Sequence, residues 1–275
     1  MRGTVRIFIA VLLVAIMASP VFAKDITIFD GWYEPNAKGK WKNWVNKKDE
    51  NNEVEPGNTG GQEWDLESFD LTDTTLRVTG GFNFFGIVDD VRAGHIFIDI
   101  DNSANYGNNT GNMSYVGSAP RKDKTVDIYN TFGWDFVIVP DFLGKTMQYS
   151  VYMIDETSIL KSPHFRDNEN AGPWQYVSNG ELILSGQELV KIKKWKDGEG
   201  WHYAYEVDLG FLLDYGLDYE QLFLVHTTME CGNDMMMGQS KFDAPPVSTP
   251  EPSTIILLGA GLAGLGLYTR KRFKA

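Results

Sequence analysis

The sequence predicts an all-β protein whose body is a β-sandwich of the jelly-roll kind. Three observations carry that expectation: apolar and polar residues alternate with period two along several short runs, helical periodicity is thin, and 28 glycines punctuate turn-rich stretches. At 275 residues the chain is long enough to bury one large core. Its 43% hydrophobic content, rich in aromatics, excludes a disordered acidic chain.

The chain opens on a leader. Arg2 and Arg6 form a basic start, Ile7 to Met17 an apolar run, and Val21-Phe22-Ala23 a small-x-small site. Residues 1–23 are therefore expected to be a secretory signal peptide cut after Ala23. The apolar run falls well short of the ~20 residues that span a bilayer, and an uncleaved anchor is the competing reading.

The body is expected over 24–243. Leu76 and Val78 alternate with Thr75, Arg77 and Thr79, and Ile96, Ile98 and Ile100 alternate with Phe97, Asp99 and Asp101. Phe136 to Val139, halted by Pro140, reads as a strand buried on both faces, and so does Leu222 to His226. Met147, Tyr149, Val151 and Met153 line one side of another strand. From Trp201 to Leu209 the odd positions are aromatic or aliphatic and are expected to face the core. Asn102 to Asn112 and Asp167 to Pro173 read as loops, and Asp208 to Tyr215 as one or two helical turns. The charged stretch Lys38 to Glu55 reads as a solvated excursion.

Pro245, Pro246, Pro250 and Pro252 end the folded body, so residues 244–254 form a linker. Residues 255–275 are expected to be a transmembrane segment with a basic tail. Ile255 to Tyr268 carries no charge and is rich in glycine, and Arg270, Lys271, Arg272 and Lys274 follow it. Under the positive-inside rule this cluster stays cytoplasmic and stops translocation, as Arg2 and Arg6 do at the other end.

The sequence Pro250-Glu251-Pro252-Ser253, then a Gly-rich apolar stretch, then Arg270-Lys271-Arg272, resembles the sorting tail of PEP-CTERM proteins. These are exported proteins of Gram-negative bacteria processed by an exosortase. The resemblance implies export, tethering at the inner membrane, cleavage near Pro250-Glu251-Pro252, and delivery to the cell surface or extracellular matrix. An ordinary tail anchor is the alternative. The stretch His226 to Asp234 resembles a recurring ending in one group of such surface proteins. Gly94 to Asp99 resembles a strand of carbohydrate-binding sandwiches of the DOMON and family-nine type.

With 25 Lys+Arg against 37 Asp+Glu the formal charge is −12. Loss of Arg2 and Arg6 with the leader, and of four cations and Glu251 with the tail, takes the body to −17. Such a surface repels phosphate backbones, so no nucleic-acid partner is expected. Polysaccharide is the partner that remains to be weighed.

Candidate chemistry is sparse. Asp99, Asp101, Ser103 and Asn105 place oxygens at every second residue, as a Ca²⁺ ligand loop does, with Asp89 or Asp90 as distant donors; a solvated turn is the bland reading. Ca²⁺ is the one cofactor the sequence suggests. His226 and Cys231 read as a buried histidine and thiol, since zinc needs three or four ligands and the only cysteine is Cys231. Gly-x-Ser-x-Gly and phosphate-binding glycine loops are absent, and sequence spacing cannot pick a glycosidase carboxylate pair from 37 acids. Trp41 and Trp44, among lysines, are candidates for stacking on sugar rings, whereas Trp134 and Trp201 are expected in the core. The expected function is a non-catalytic structural or binding module at the cell surface. The alternative is a secreted carbohydrate-binding module or glycan-active hydrolase.

Overall fold

The computed structural model describes residues 23–30, 60–104, 114–117, 125–163, 172–244, 256–263 and 265. The chain divides into two units, Met1–Lys241 and Phe242–Ala275. The first is all-β, and every strand pairing in it is antiparallel.

Strands are numbered in chain order. One sheet runs β1 (Lys24–Asp25), β3 (Leu66–Thr72), β4 (Thr75–Gly80), β14 (Trp201–Asp208) and β12 (Val190–Lys191), with β13 (Trp195–Lys196) also on β14. The central sheet runs β11 (Glu181–Glu188), β8 (Gln148–Met153), β7 (Phe136–Asp141), β5 (Ile96–Asp99), β15 (Phe223–Thr228), β16 (Met235–Ser240) and β2 (Thr27–Asp30). A small third sheet holds β10 (Gln175–Ser178), β9 (Ile159–Lys161) and β6 (Asp127–Tyr129).

The first and central sheets share a core. A Cβ on Gly238 of β16 would lie 3.0 Å from the Phe69 ring of β3, so the missing side chain makes room for that ring. The Tyr149 hydroxyl on β8 donates to the Asp208 carbonyl of β14 at 3.2 Å and accepts its N–H at 3.1 Å. Ile26 stitches both sheets at the corner between β1 and β2. Its N–H donates to the Phe69 carbonyl and its own carbonyl accepts from Gln239, both at 2.9 Å.

The other face of the central sheet is also buried. Phe97, Trp134, Val137, Leu224, Met235 and Met237 pack there with Ile128 and Leu160 of the small sheet. Trp134 stacks on the His226 imidazole, with ring centroids 5.4 Å apart and 13° between planes. Full burial of a large apolar side chain contributes about 1.5–3 kcal/mol, so this double-sided burial explains the near-continuous apolar runs of β5 and β15.

Two local expectations are corrected. β7 does not halt before Pro140 but runs on to Asp141. On one side its neighbour β5 is paired only as far as Ile96 opposite Ile138, so Pro140 has a partner on the β8 side alone, where a missing N–H is tolerated. On β14, Trp201 is 44% exposed and His202 is buried, the reverse of the expected facing. The reason is register: β4 pairs with β14 only from Tyr203 onward, so at Trp201 and His202 the strand pairs only with the short β13. The expected helical turn is present as α1 (Phe211–Asp214).

The segment before β5 is a tight crossing. A Cβ on Gly94 would come within 2.0 Å of the Thr228 carbonyl oxygen and 2.8 Å of that of Trp174, so only glycine fits. Next to it, the His95 N–H donates to the Trp174 carbonyl at 2.8 Å, its own carbonyl accepts from the Thr227 hydroxyl at 3.1 Å, and Nδ1 accepts the Tyr176 N–H at 3.1 Å. Burial, aided by the Arg92 charge, pushes the His95 pKa down to about 3.

This group should make stability depend on pH. Between about pH 6.5 and 3 the unfolded chain protonates His95 and the folded chain does not. Stability from this group is therefore full above pH 6.5 and is lost as pH falls towards 3, by roughly 5 kcal/mol over the whole window. His95→Gln keeps an acceptor near Tyr176 and removes the titration, so urea melts at pH 4 and 7 should differ less for the variant. An unchanged pH slope would show that the buried ring does not carry this cost.

Candidate functional site

Asp99 is a fully buried carboxylate at the end of β5, where the core strand turns into a polar loop. Its Oδ1 accepts the N–H groups of Asp101 at 3.0 Å and Asn102 at 2.9 Å, and Oδ2 accepts that of Ala104 at 2.7 Å. Asn102 sits at φ 61, a left-handed conformation that asparagine tolerates better than most residues. Asp101 repeats the pattern on a smaller scale, with Oδ1 accepting from the Ser103 N–H at 2.9 Å.

Of the expected ligand set, Asp99 and Asp101 converge, and Ser103 stays beside Asp101 while its hydroxyl also donates to the Gly133 carbonyl at 3.3 Å. The third carboxylate is Asp135, from the residue just before β7. Asp99, Asp101 and Asp135 each bring one oxygen within 4.8 Å of the others. No sequence spacing points to Asp135. It arrives through register, because Ile98 pairs with Phe136 and the Asp135 Oδ2 then accepts the Ile100 N–H at 2.7 Å. Asp89 and Asp90 occupy a separate tight turn with positive φ and are not among the three.

Burial raises the Asp99 pKa against the pull of its three backbone N–H partners. Asp135 is pushed up to about 6, mainly by burial, with the charges of Asp101 and Asp99 adding to it. Asp101 is held low by hydrogen bonding from Ser103. A cleft of about 420 Å³ opens beside the group, lined by Asp101 and Asp135 together with Phe136, Met153 and Tyr215. That volume suits a small ligand, and three oxygens on one side suit a hard cation.

Other expected site residues are dispersed. Trp41, Trp44, Pro250, Glu251, Pro252, Ser253, Arg270, Lys271 and Arg272 lie outside the described residues, as does the leader apart from Ala23. Ala23 is exposed and directly precedes β1. Trp134 and Trp174 are core residues, while Trp195 and Trp201 are 39% and 44% exposed on the β13–β14 hairpin. The Lys194 ammonium lies 4.4 Å from the centre of the Trp201 ring.

The stretch His226 to Asp234 forms β15 and the turn into β16, and its polar side chains bind other parts of the body. The Asp234 Oδ2 accepts the Leu66 N–H at 2.6 Å, the Thr228 hydroxyl donates to the Asp234 carbonyl at 2.6 Å, and His226 Nε2 lies 3.2 Å from the Pro173 carbonyl. Arg92 donates to both oxygens of Glu230, at 2.9 and 3.1 Å. His226 and Cys231 are both buried. The stretch is a structural clasp.

Residues 248–272 match the family model of the PEP-CTERM protein-sorting motif, which covers the tail and leaves the body untouched. No curated protein and no solved structure matches the chain.

Three close carboxylates repel one another at neutral pH when no cation is present. Asp135→Asn keeps an acceptor for the Ile100 N–H and removes one charge. In chelator-treated protein at pH 7 it should stabilise the fold by about 1 kcal/mol, after allowing for partial solvent screening, or about 2–4 °C in Tm. A drop in Tm would show that the carboxylate itself is needed to hold the loop.

Proposed function

We propose that this chain is an exported cell-envelope protein of a Gram-negative bacterium, handed by its tail to an exosortase, with a body that acts as a non-catalytic structural or binding module at the cell surface. The observation that carries this reading is the sorting motif at residues 248–272. Each part of the tail has a physical role. Prolines keep the stretch around Pro250 to Ser253 extended and open to a processing enzyme. The apolar segment parks that site at the membrane, and Arg270, Lys271 and Arg272 anchor it on the cytoplasmic side until cleavage. Residues 256–263 are helical, and their apolar side chains Ile256, Leu257, Leu258 and Leu262 are exposed, in keeping with a lipid-facing segment. Among the described residues no helix is long and apolar enough to cross a membrane. The start of β1 at Lys24 supports leader removal after Ala23, and the packing of the two larger sheets supports a β-sandwich of jelly-roll type.

A second reading, a carbohydrate-binding module or glycan-active hydrolase, is favoured by the exposed Trp195 and Trp201 rings. Under this reading Ca²⁺ bridges Asp99, Asp101 and Asp135 and relieves the cost of burying them together.

In a host with an active exosortase, mass spectrometry should find a mature chain beginning near Lys24 and ending near Pro250. Replacing Arg270, Lys271 and Arg272 with glutamine should reduce processing severalfold. Intact residues 255–275 on surface-delivered protein would sink the sorting role and leave an ordinary anchor. Glycan arrays and turnover assays separate the two readings of the body: binding without turnover supports a module, and neither outcome supports a structural part. Ca²⁺ at millimolar concentration should raise Tm by several degrees in the native protein and not in Asp99→Asn. Superimposable melts with and without the ion would return the loop to a solvated turn.

A further inference from the structure

Away from the Asp99 loop, the hairpin from β13 to β14 gathers a second set of ligating groups. His202 is 3% exposed, held beneath Trp195, whose ring stacks on the imidazole at 5.1 Å with 9° between planes. Its Nδ1 lies 2.7 Å from the Glu67 Oε1 of β3. Glu67 accepts in turn from the Gln62 side chain. A carboxylate on one ring nitrogen fixes the tautomer and turns the lone pair of the other nitrogen outward, as the outer partner of a metal-bound histidine does.

That other nitrogen, Nε2, is buried and faces the Asp197 Oδ2, only 2.9 Å away. The carboxylates of Asp197 and Glu199 and the His202 nitrogen all lie within 4.8 Å of one another. The hairpin presents them rigidly. Asp197 Oδ1 accepts the N–H groups of Glu199 at 2.9 Å and Gly200 at 3.4 Å, which leaves Oδ2 for the histidine side. A lone pair facing a carboxylate oxygen at this distance needs a shared cation. A proton is one candidate: burial works against a charged ring, but the Asp197 hydrogen bond and the Glu67 charge more than offset it and raise the His202 pKa.

We propose that this hairpin is a binding site for a divalent transition ion of the zinc class, held by His202 Nε2, Asp197 and Glu199, with Glu67 orienting the ring. One imidazole nitrogen with two carboxylate oxygens suits zinc and its neighbours in the first transition row and is a poor match for Ca²⁺, which prefers oxygen alone. Asp197 and Glu199 are exposed, so water completes the coordination and the ion is reachable from solvent.

The test is calorimetric titration of the purified, chelator-treated full-length chain with ZnCl₂, alongside thermal melts. Expected are one equivalent bound with a raised Tm, a loss of affinity of roughly tenfold or more in Glu199→Gln, and a loss of 10–100-fold in Glu67→Gln, as for an outer partner. CaCl₂ should not compete at equal concentration. His202→Gln should abolish binding, but that substitution also disturbs a buried position, so exposed Glu199 supplies the decisive comparison. Absence of a zinc isotherm, or one that Glu199→Gln leaves unchanged, overturns the proposal and assigns His202 to a proton-held ion pair.

Discussion

Gly94 is where three parts of the body meet, because carbonyl oxygens of Thr228 and Trp174 both crowd the space where a side chain would begin. That contact sets the distance between the start of β5 and the end of β15, and through Trp174 the distance to β10. The His95 and Thr227 hydrogen bonds then fix register on both sides of it. Trp134 and His226 can stack face to face only if these strands hold that spacing. The acidic loop depends on it as well, since β5 carries the strand directly into Asp99.

The body places its carboxylates unevenly. Most lie at the surface, where water and salt screen them. Two groups are drawn together at the ends of strands: one around Asp99, which recruits the distant Asp135, and one around His202, gathered within a single hairpin. Backbone N–H groups hold the first group and an imidazole holds the second. Both arrangements concentrate negative charge where a cation would offset its cost, in a chain whose formal charge is already −12.

Much of the fold was legible because strand patterning is local. Leu76 and Val78, and Ile96 and Ile98, show their facing in the spacing of their neighbours, and each is buried. The double burial of β5 and β15 was legible in their apolar runs. Trp201 was misread because period-two alternation gives the faces of a strand but not where its neighbours end. Asp135 was invisible for a related reason: it joins Asp99 across a strand pair, and pairing is not written in either segment alone. The sorting motif was legible because it is read in order along the chain, without folding.

The corner at Ile26 has a consequence for the order of events in assembly. Ile26 bonds both to Phe69 and to Gln239, which lie far apart along the chain. Closing a loop of more than 200 residues is slow compared with forming the hairpins between them. The Phe69 side can close early, because β1 pairs with the nearby β3, but the Gln239 side must wait for β16, the last strand of the body. Until β2 and β16 pair, the corner that ties the two larger sheets together stays open, so the body locks shut only when its final strand is in place.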